Sequence, residues 1–236
     1  MTWPTLIQMK LLFVGEYPHG AIGGLTANVS LAAITLCISF VIGLVVGLGR
    51  LSSHRYIRCL CRSYVELIRA TPLLIVVFWF YFLIPNVLGF NISIFKTAII
   101  AFSVYAGAYL AEVVRAGILA LPKGQTEAGY AIGLSHIQVL AYIILPQALK
   151  LMIPTFISNF IALFKETPVL FVIGIFEIVN AGMAIANLHL DQMVSTFMVV
   201  AAIFFIICFI ISRLSLRLEK KLSPEHHIET IELEEI

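Results

Sequence analysis

Five long apolar stretches constrain this chain more than any other feature, at roughly residues 24–49, 72–90, 97–119, 154–176 and 192–212. A helix needs about 20 mostly apolar residues to cross the hydrocarbon core of a bilayer, and each stretch reaches or nearly reaches that length. Inside hydrocarbon, backbone N–H and C=O groups must bond within their own segment. No alternating pattern of a membrane barrel is present, so the stretches are expected to be helices. The expected fold class is all-α and polytopic, with five transmembrane helices. Composition agrees: 61% of the 236 residues are hydrophobic and 12% charged, where a soluble domain carries about a quarter. The net charge of +2 gives no concentrated basic face, which argues against nucleic-acid binding.

Cations set the expected orientation. Arg50, Arg55, Arg58, Arg62 and Arg69 follow the first stretch, Lys123 and Lys150 the third, and Arg213, Arg217, Lys220 and Lys221 the fifth. Outside the spans few others stand, Lys10 before the first and Lys96 between the second and third, while the 177–191 loop carries Glu177 and Asp191. The positive-inside rule then puts the N-terminus outside and the C-terminus in the cytoplasm. Three parts follow: residues 1–23 as an extracytoplasmic segment, 24–217 as the transmembrane domain, and 218–236 as a cytoplasmic acidic tail. The tail glutamates (Glu225, Glu229, Glu232, Glu234 and Glu235) read as a solvated end with no assigned function. Residues 1–20 lack the pattern of a cleavable signal. The cysteines fit packing, with Cys37 and Cys208 in apolar runs and Cys59 and Cys61 in an Arg-rich loop. Gly43 and Gly47 form a Gly-xxx-Gly pair, either ordinary glycines of a membrane helix or a point of close helix approach.

The segment 121–153 is too long and too amphipathic for a plain connection. Lys123-Gly124 reads as a break, Gln125 to Ile132 as a short helix, Gly133-Leu134-Ser135 as a second break, and His136 to Ile144 as a helix ending at Pro146. Two short cytoplasmic helices rich in small residues suit a surface offered to another protein, the alternative being an amphipathic hairpin on the lipid interface.

Within this segment, Glu127-Ala128-Gly129, then Gly133 and then Ile143-x-Leu145-Pro146 match the EAA loop of ABC-importer permeases, E-A-A-x3-G-x9-I-x-L-P, with only Gly129 departing. The chain resembles the membrane subunits of the polar amino-acid uptake family, the histidine/glutamine/glutamate/arginine type. The stretches that carry the likeness are RSYVELIRATPLL (62–74), GAYLAEVVRAGI (107–118), LPKGQTEAGYAIGLS (121–135), ILPQALKLMIP (144–154) and FISNFIALFKETPVLFVIG (156–174). The resemblance implies a type I ABC-importer permease fold with its N-terminus outside, in a bacterial inner membrane. It implies a second permease subunit, identical or paralogous, a pair of cytoplasmic ATPase subunits and an extracytoplasmic amino-acid-binding protein. ATP and Mg would sit on the ATPase, with no cofactor on this chain. Gly124, Glu127, Ala128, Gly129, Gly133, Ile143, Leu145 and Pro146 would be the ATPase-coupling residues, with Glu127 meeting a basic group in a groove of the ATPase. Trp79-Phe80-Tyr81-Phe82 followed by Ile84-Pro85 is similar to acidic-amino-acid members, a lean toward glutamate or glutamine. An ion-gradient-driven secondary carrier is the rival reading, disfavoured by five spans without a detectable repeat.

Lys165-Glu166-Thr167 interrupts the fourth stretch about halfway along, if Pro154 opens that helix. Charges at mid-depth cost about 2.5–3.5 kcal/mol each and need a reason. Pro168 weakens the helix there, and a half-helix starting near Thr167 would aim free amides at a carboxylate. On that reading Thr167 and the amides take a substrate α-carboxylate and Glu166 the α-ammonium. Lys165 would neutralise Glu166 between cycles or face the partner subunit; a purely structural Lys165–Glu166 pair is the alternative. Family members usually have Asp at the position of Glu166 and Ser at that of Pro168. In the third stretch, Tyr105, Tyr109 and Glu112 lie along one side, with Gly107 allowing close approach, as pathway lining or as packing. Glu112 is expected to pair with Arg115, and Glu66 with Arg69. His19, His54, His136, His189 and His226-His227 share no face with other metal ligands. No Gly-rich phosphate loop is present, so the chain is not expected to be its own ATPase.

Overall fold

The computed structural model describes residues 3–18, 20, 22–89 and 92–222. The tail glutamates, His19 and His226-His227 lie outside the described residues. Among the described residues the chain is helical apart from two isolated bridges, Gly15 to Ile22 and Gly24 to Glu177. We number the helices α1 (Leu6–Val14), α2 (Gly24–Arg50), α3 (Arg55–Arg69), α4 (Leu73–Leu88), α5 (Ile94–Leu119), α6 (Lys123–Ala131), α7 (His136–Ile173), α8 (Ile178–Leu188) and α9 (Met193–Leu222). Four stretches, α2, α5, α7 and Leu190–Lys220, are long and apolar enough to cross a membrane. A fifth crossing is a broken pair, α3 and α4, bent by 109°. The five apolar stretches of the sequence therefore become five spans, with the second one short and entered through an elbow at Thr71-Pro72.

The centre of the molecule is the contact of α2 with α5. A Cβ at Gly43 would stand 2.6 Å from the Leu110 Cβ, and one at Gly47 2.7 Å from the Val114 Cβ. The pair therefore serves close helix approach, and Gly107 does the same from α5, where a Cβ would meet the Ile42 side chain at 2.6 Å. Small residues matter here because lipid tails are as apolar as leucine, so association rests on contact at short range. Phe102, Leu163, Leu170 and Ile173 fill the space on the other side of α5.

Prolines do not end helices in this chain as the sequence suggests. Before both Pro85 and Pro146 the helix widens to a π turn, with Ile84 N–H bonding to Trp79 C=O and Leu145 N–H to Leu140 C=O. The wider turn relieves the clash of the proline ring with the preceding turn. Hence the helix expected to stop at Pro146 continues, Pro154 lies inside it instead of opening it, and α7 runs 38 residues without a break. At Pro168 the helix tightens to a 3₁₀ turn, and the Thr167 N–H and hydroxyl both donate to the Phe164 carbonyl. The expected half-helix with free amides at Thr167 does not form, because the chain stays helical through the proline.

Other differences lie near the ends. Residues 6–14 form a helix with a Thr5–Gln8 capping box. The Arg-rich loop is a 15-residue helix, α3, that buries Val65 and Ile68 against α2 and α5. The 177–191 loop is mostly α8, and its Glu177 is fully buried. The Glu177 carboxylate accepts from the N–H groups of Val179 (2.9 Å) and Asn180 (2.8 Å) and from Asn28 Nδ2 (3.1 Å). Asn28 also donates to the Thr167 hydroxyl at 2.8 Å and accepts from Ile178 N–H at 3.0 Å. One amide side chain thus joins α2, α7 and α8. Asn28→Ala leaves buried acceptors and a buried donor without their partner. We expect a loss of about 2 kcal/mol, read as a lower melting temperature of the detergent-solubilised protein. Val29→Ala, on the exposed side of α2, should leave it near wild type.

Candidate functional site

Helix α7 presents two faces with different surroundings. Asn159 and Glu166, two turns apart, point with Leu163 and Ala162 into a cavity of about 120 Å³ closed on the other side by Tyr105, Ala106 and Tyr109 of α5. The Tyr105 hydroxyl donates to the Tyr109 hydroxyl at 3.2 Å, with the rings 5.0 Å apart. Successive helix residues point about 100° apart, so Lys165 faces elsewhere. It lies in a groove between α7 and α9 with Phe204, Phe205, Cys208 and Ser212. Lys165 and Glu166 therefore do not form a pair within this chain. Thr167 is fully buried, with its hydroxyl engaged by Asn28 and Phe164, and it does not line the Glu166 cavity. Gly107 is buried against α2, away from that cavity.

A second cavity of about 490 Å³ continues from the first along the same helices, and Tyr109 and Asn159 line both. Its other walls include Thr155 and Met152 of α7, Glu112 and Gly117 of α5, and Arg69 at the end of α3. The expected Glu112–Arg115 pair is present, at 3.0 Å from Nε and 2.5 Å from Nη2. Arg50 also donates to Glu112, and Arg69 stands 3.8 Å from it. Glu66 pairs with Arg62 (2.6 Å) and not with Arg69, because i, i+4 partners on the exposed face of α3 meet while Arg69 turns inward over the Tyr109 ring at 5.4 Å. The corridor thus runs from a carboxylate, past tyrosine hydroxyls and an amide, to a guanidinium. That lining suits a small ligand carrying both an ammonium and a carboxylate.

The segment from Lys123 to Pro146 sits at the basic end of the same helices. Helix α6 ends in a Schellman turn, with Gly133 N–H on Tyr130 C=O (3.0 Å) and Leu134 N–H on Gly129 C=O (3.2 Å). Gly133 takes φ +83°, the left-handed conformation that a side chain strains. Gly129 is buried against Val139 and Ile143, where a Cβ would meet side chains at 2.8 Å. This explains why the smallest residue stands there. Ser135 caps α7 through a capping box with Gln138, and the Tyr130 hydroxyl meets His136 Nδ1 at 2.7 Å. Gly124, Glu127, Ala128 and Gly133 are exposed, Ile143 and Leu145 are half-buried, and Pro146 is exposed on α7. The segment therefore has an inner edge bonded to the protein and an outer edge open to a partner.

A polytopic helical bundle with a polar corridor and an exposed helical corner at its basic end has the architecture of a transporter's membrane subunit. The model of the family described as binding-protein-dependent transport system inner membrane component matches residues 39–224, and the chain belongs to that family. It is 37% identical to the L-cystine transport system permease protein of Bacillus subtilis over 85% of each chain. It is 33% identical to the glutamate transport system permease protein of Corynebacterium glutamicum, over 84% of this chain and 73% of that one. A crystal structure titled as an amino acid ABC transporter with histidines superposes with a TM-score of 0.81 at 30% identity, covering 94% of this chain and all of that one. The protein is a membrane-spanning permease subunit of an ABC transporter with the type I permease fold. The secondary-carrier alternative finds no support among these relatives.

Asn159 and Arg69 escaped the sequence reading. Asn159 lies two turns before Glu166 and is on its face once α7 is known to pass Pro154 unbroken; Arg69 reaches the corridor only through the elbow between α3 and α4. Glu166→Gln keeps the size of the side chain and removes its charge. We expect it to lower the transport rate about tenfold or more at unchanged membrane abundance, while Lys165→Gln, on the other face, changes it less. Initial uptake rates in cells or proteoliposomes measure both.

Proposed function

We propose that this permease imports a polar amino acid, with glutamate or glutamine preferred, across the inner membrane of a bacterium. It works as one half of a permease dimer, with its N-terminus outside and its basic end in the cytoplasm. A pair of ATPase subunits holds ATP and Mg and seats against α6, an extracytoplasmic binding protein delivers the ligand, and this chain binds no cofactor of its own.

The observation that carries this reading is the continuity of α7. The helix that begins in the coupling segment at His136 also carries Asn159 and Glu166, about 35 and 45 Å further along. Closure of the ATPase pair on nucleotide would push α6, and the push would travel through Gly129, Val139 and Ile143 into the rod that lines the corridor. Glu166 receives the α-ammonium; the carboxylate is met along the corridor and not by Thr167. The preference for glutamate or glutamine rests on the Trp79–Pro85 stretch and on the glutamate permease among the relatives. The likeness to a cystine permease makes cystine the first competitor to try.

The full transporter in proteoliposomes, with its ATPase and binding protein, should accumulate labelled L-glutamate or L-glutamine when ATP is enclosed and should keep doing so when the proton gradient is collapsed. Uptake that survives ATP depletion but stops with the gradient overturns the reading, and competition by cystine alone overturns the substrate preference. Glu127→Lys and Gly133→Asp should leave the protein inserted, with ATP hydrolysis continuing and uptake reduced about tenfold or more. Normal uptake in both, at normal abundance, removes the coupling role.

A further inference from the structure

The charges at the basic end of the corridor do not balance. Arg50, Arg69 and Arg115 surround one carboxylate, Glu112. Oε1 of Glu112 accepts from Nε and Nη2 of Arg115, and Oε2 accepts from Nη1 of Arg50. Each carboxylate oxygen therefore has a close guanidinium partner before Arg69 is counted. Arg69 stands at 3.8 Å, beyond hydrogen-bond distance. Glu66, the acid nearest to it along α3, is taken by Arg62 at 2.6 Å. Among the described residues, no carboxylate lies within hydrogen-bond distance of Arg69.

What holds Arg69 is the ring of Tyr109, 5.4 Å from the guanidinium carbon. A cation–π contact takes up none of the guanidinium's N–H hydrogen bonds. Arg69 borders the cavity of about 490 Å³ that Thr155 and Asn159 of α7 also line. A planar fork of donors on a cavity wall, whose one nearby carboxylate already has a closer guanidinium on each oxygen, matches a ligand carboxylate. Tyr109 and Asn159 also border the Glu166 cavity, so a ligand passes from one charged group to the other without leaving the corridor. Glu166 borders the first cavity and Arg69 the second, which makes the two charges successive stations.

We propose that Arg69 is a second ligand station of the corridor, which binds the carboxylate of the transported amino acid after its ammonium leaves Glu166. Arg50 and Arg115 neutralise Glu112 and so keep Arg69 available. The proposal rests on the reading of this chain as an amino-acid permease.

The test uses the full transporter in proteoliposomes, with labelled L-glutamate, L-glutamine and L-cystine as probes. Arg69→Gln should slow uptake of the transported probe about tenfold or more, the loss expected for a charge-assisted hydrogen bond. Arg69→Lys, which keeps the charge and loses the fork, should fall between Arg69→Gln and wild type. A purely structural role would lower complex recovery and melting temperature together with uptake, whereas a ligand station leaves them near wild type. A second measurement does not depend on Arg69 variants folding. Thr155→Cys, in a background without Cys37, Cys59, Cys61 and Cys208, should react with a thiol reagent more slowly when the transported probe is present. Wild-type uptake by Arg69→Gln, or an unchanged reaction rate at Cys-substituted position 155 with Arg69 intact, overturns the proposal. A wild-type transporter that accumulates none of the three probes overturns the reading of this chain as a permease for glutamate, glutamine or cystine, and is told apart by needing no variant at all.

Discussion

Hydrocarbon gives an unbonded backbone group no alternative partner, and the whole bundle is shaped by that constraint. The chain carries prolines at positions 85, 146, 154 and 168, each of which removes a donor from a helix that must stay helical. The π turns before Pro85 and Pro146 and the Thr167 hydroxyl on the Phe164 carbonyl are three local answers to the same problem. Their joint consequence is a single rod, α7, that passes from the coupling corner to Glu166. Had the helix broken at Pro146, motion of α6 would reach the corridor only through a flexible joint.

Carboxylates meet the same scarcity of partners in three different ways. Glu177 is surrounded by backbone N–H groups and Asn28, and so fixes the start of α8 against α2. Glu112 is enclosed by guanidinium groups and ties α2 and α5 together at the basic end. Glu166 has neither arrangement and shares a cavity with tyrosine hydroxyls and Asn159. Each of the first two accepts three hydrogen bonds from the protein, and the third borders a cavity.

Much of the fold was legible in the order of residues, because lipid demands long apolar runs and shows them plainly. Glycines 43 and 47 stand where α5 comes closest, and the residues spaced from Glu127 to Pro146 fall on a helical corner with an exposed edge and a buried Gly129. Tyr105, Tyr109 and Glu166 do line one cavity. Thr167 and Lys165 were the misleading neighbours: adjacency in the chain suggested one site, whereas helical rotation sends Glu166, Lys165 and Thr167 to a corridor, a groove and the core. The Arg-rich segment looked like a loop because its two inward residues, Val65 and Ile68, are few against the charges around them.

What the sequence by itself determined is the apolar spans, their helical nature and the kinship of the chain, since each depends on local composition or on fixed spacing within a short window. Only the tertiary structure decided which charges are spent and which are free. Asn28 meets Glu177 across 149 residues, Arg50 meets Glu112 across 62, and Arg69 enters the corridor through an elbow. A carboxylate or guanidinium is available for a ligand only when its nearest partners in space are absent or already engaged, and those partners come from helices whose distance along the chain carries no trace of the contact.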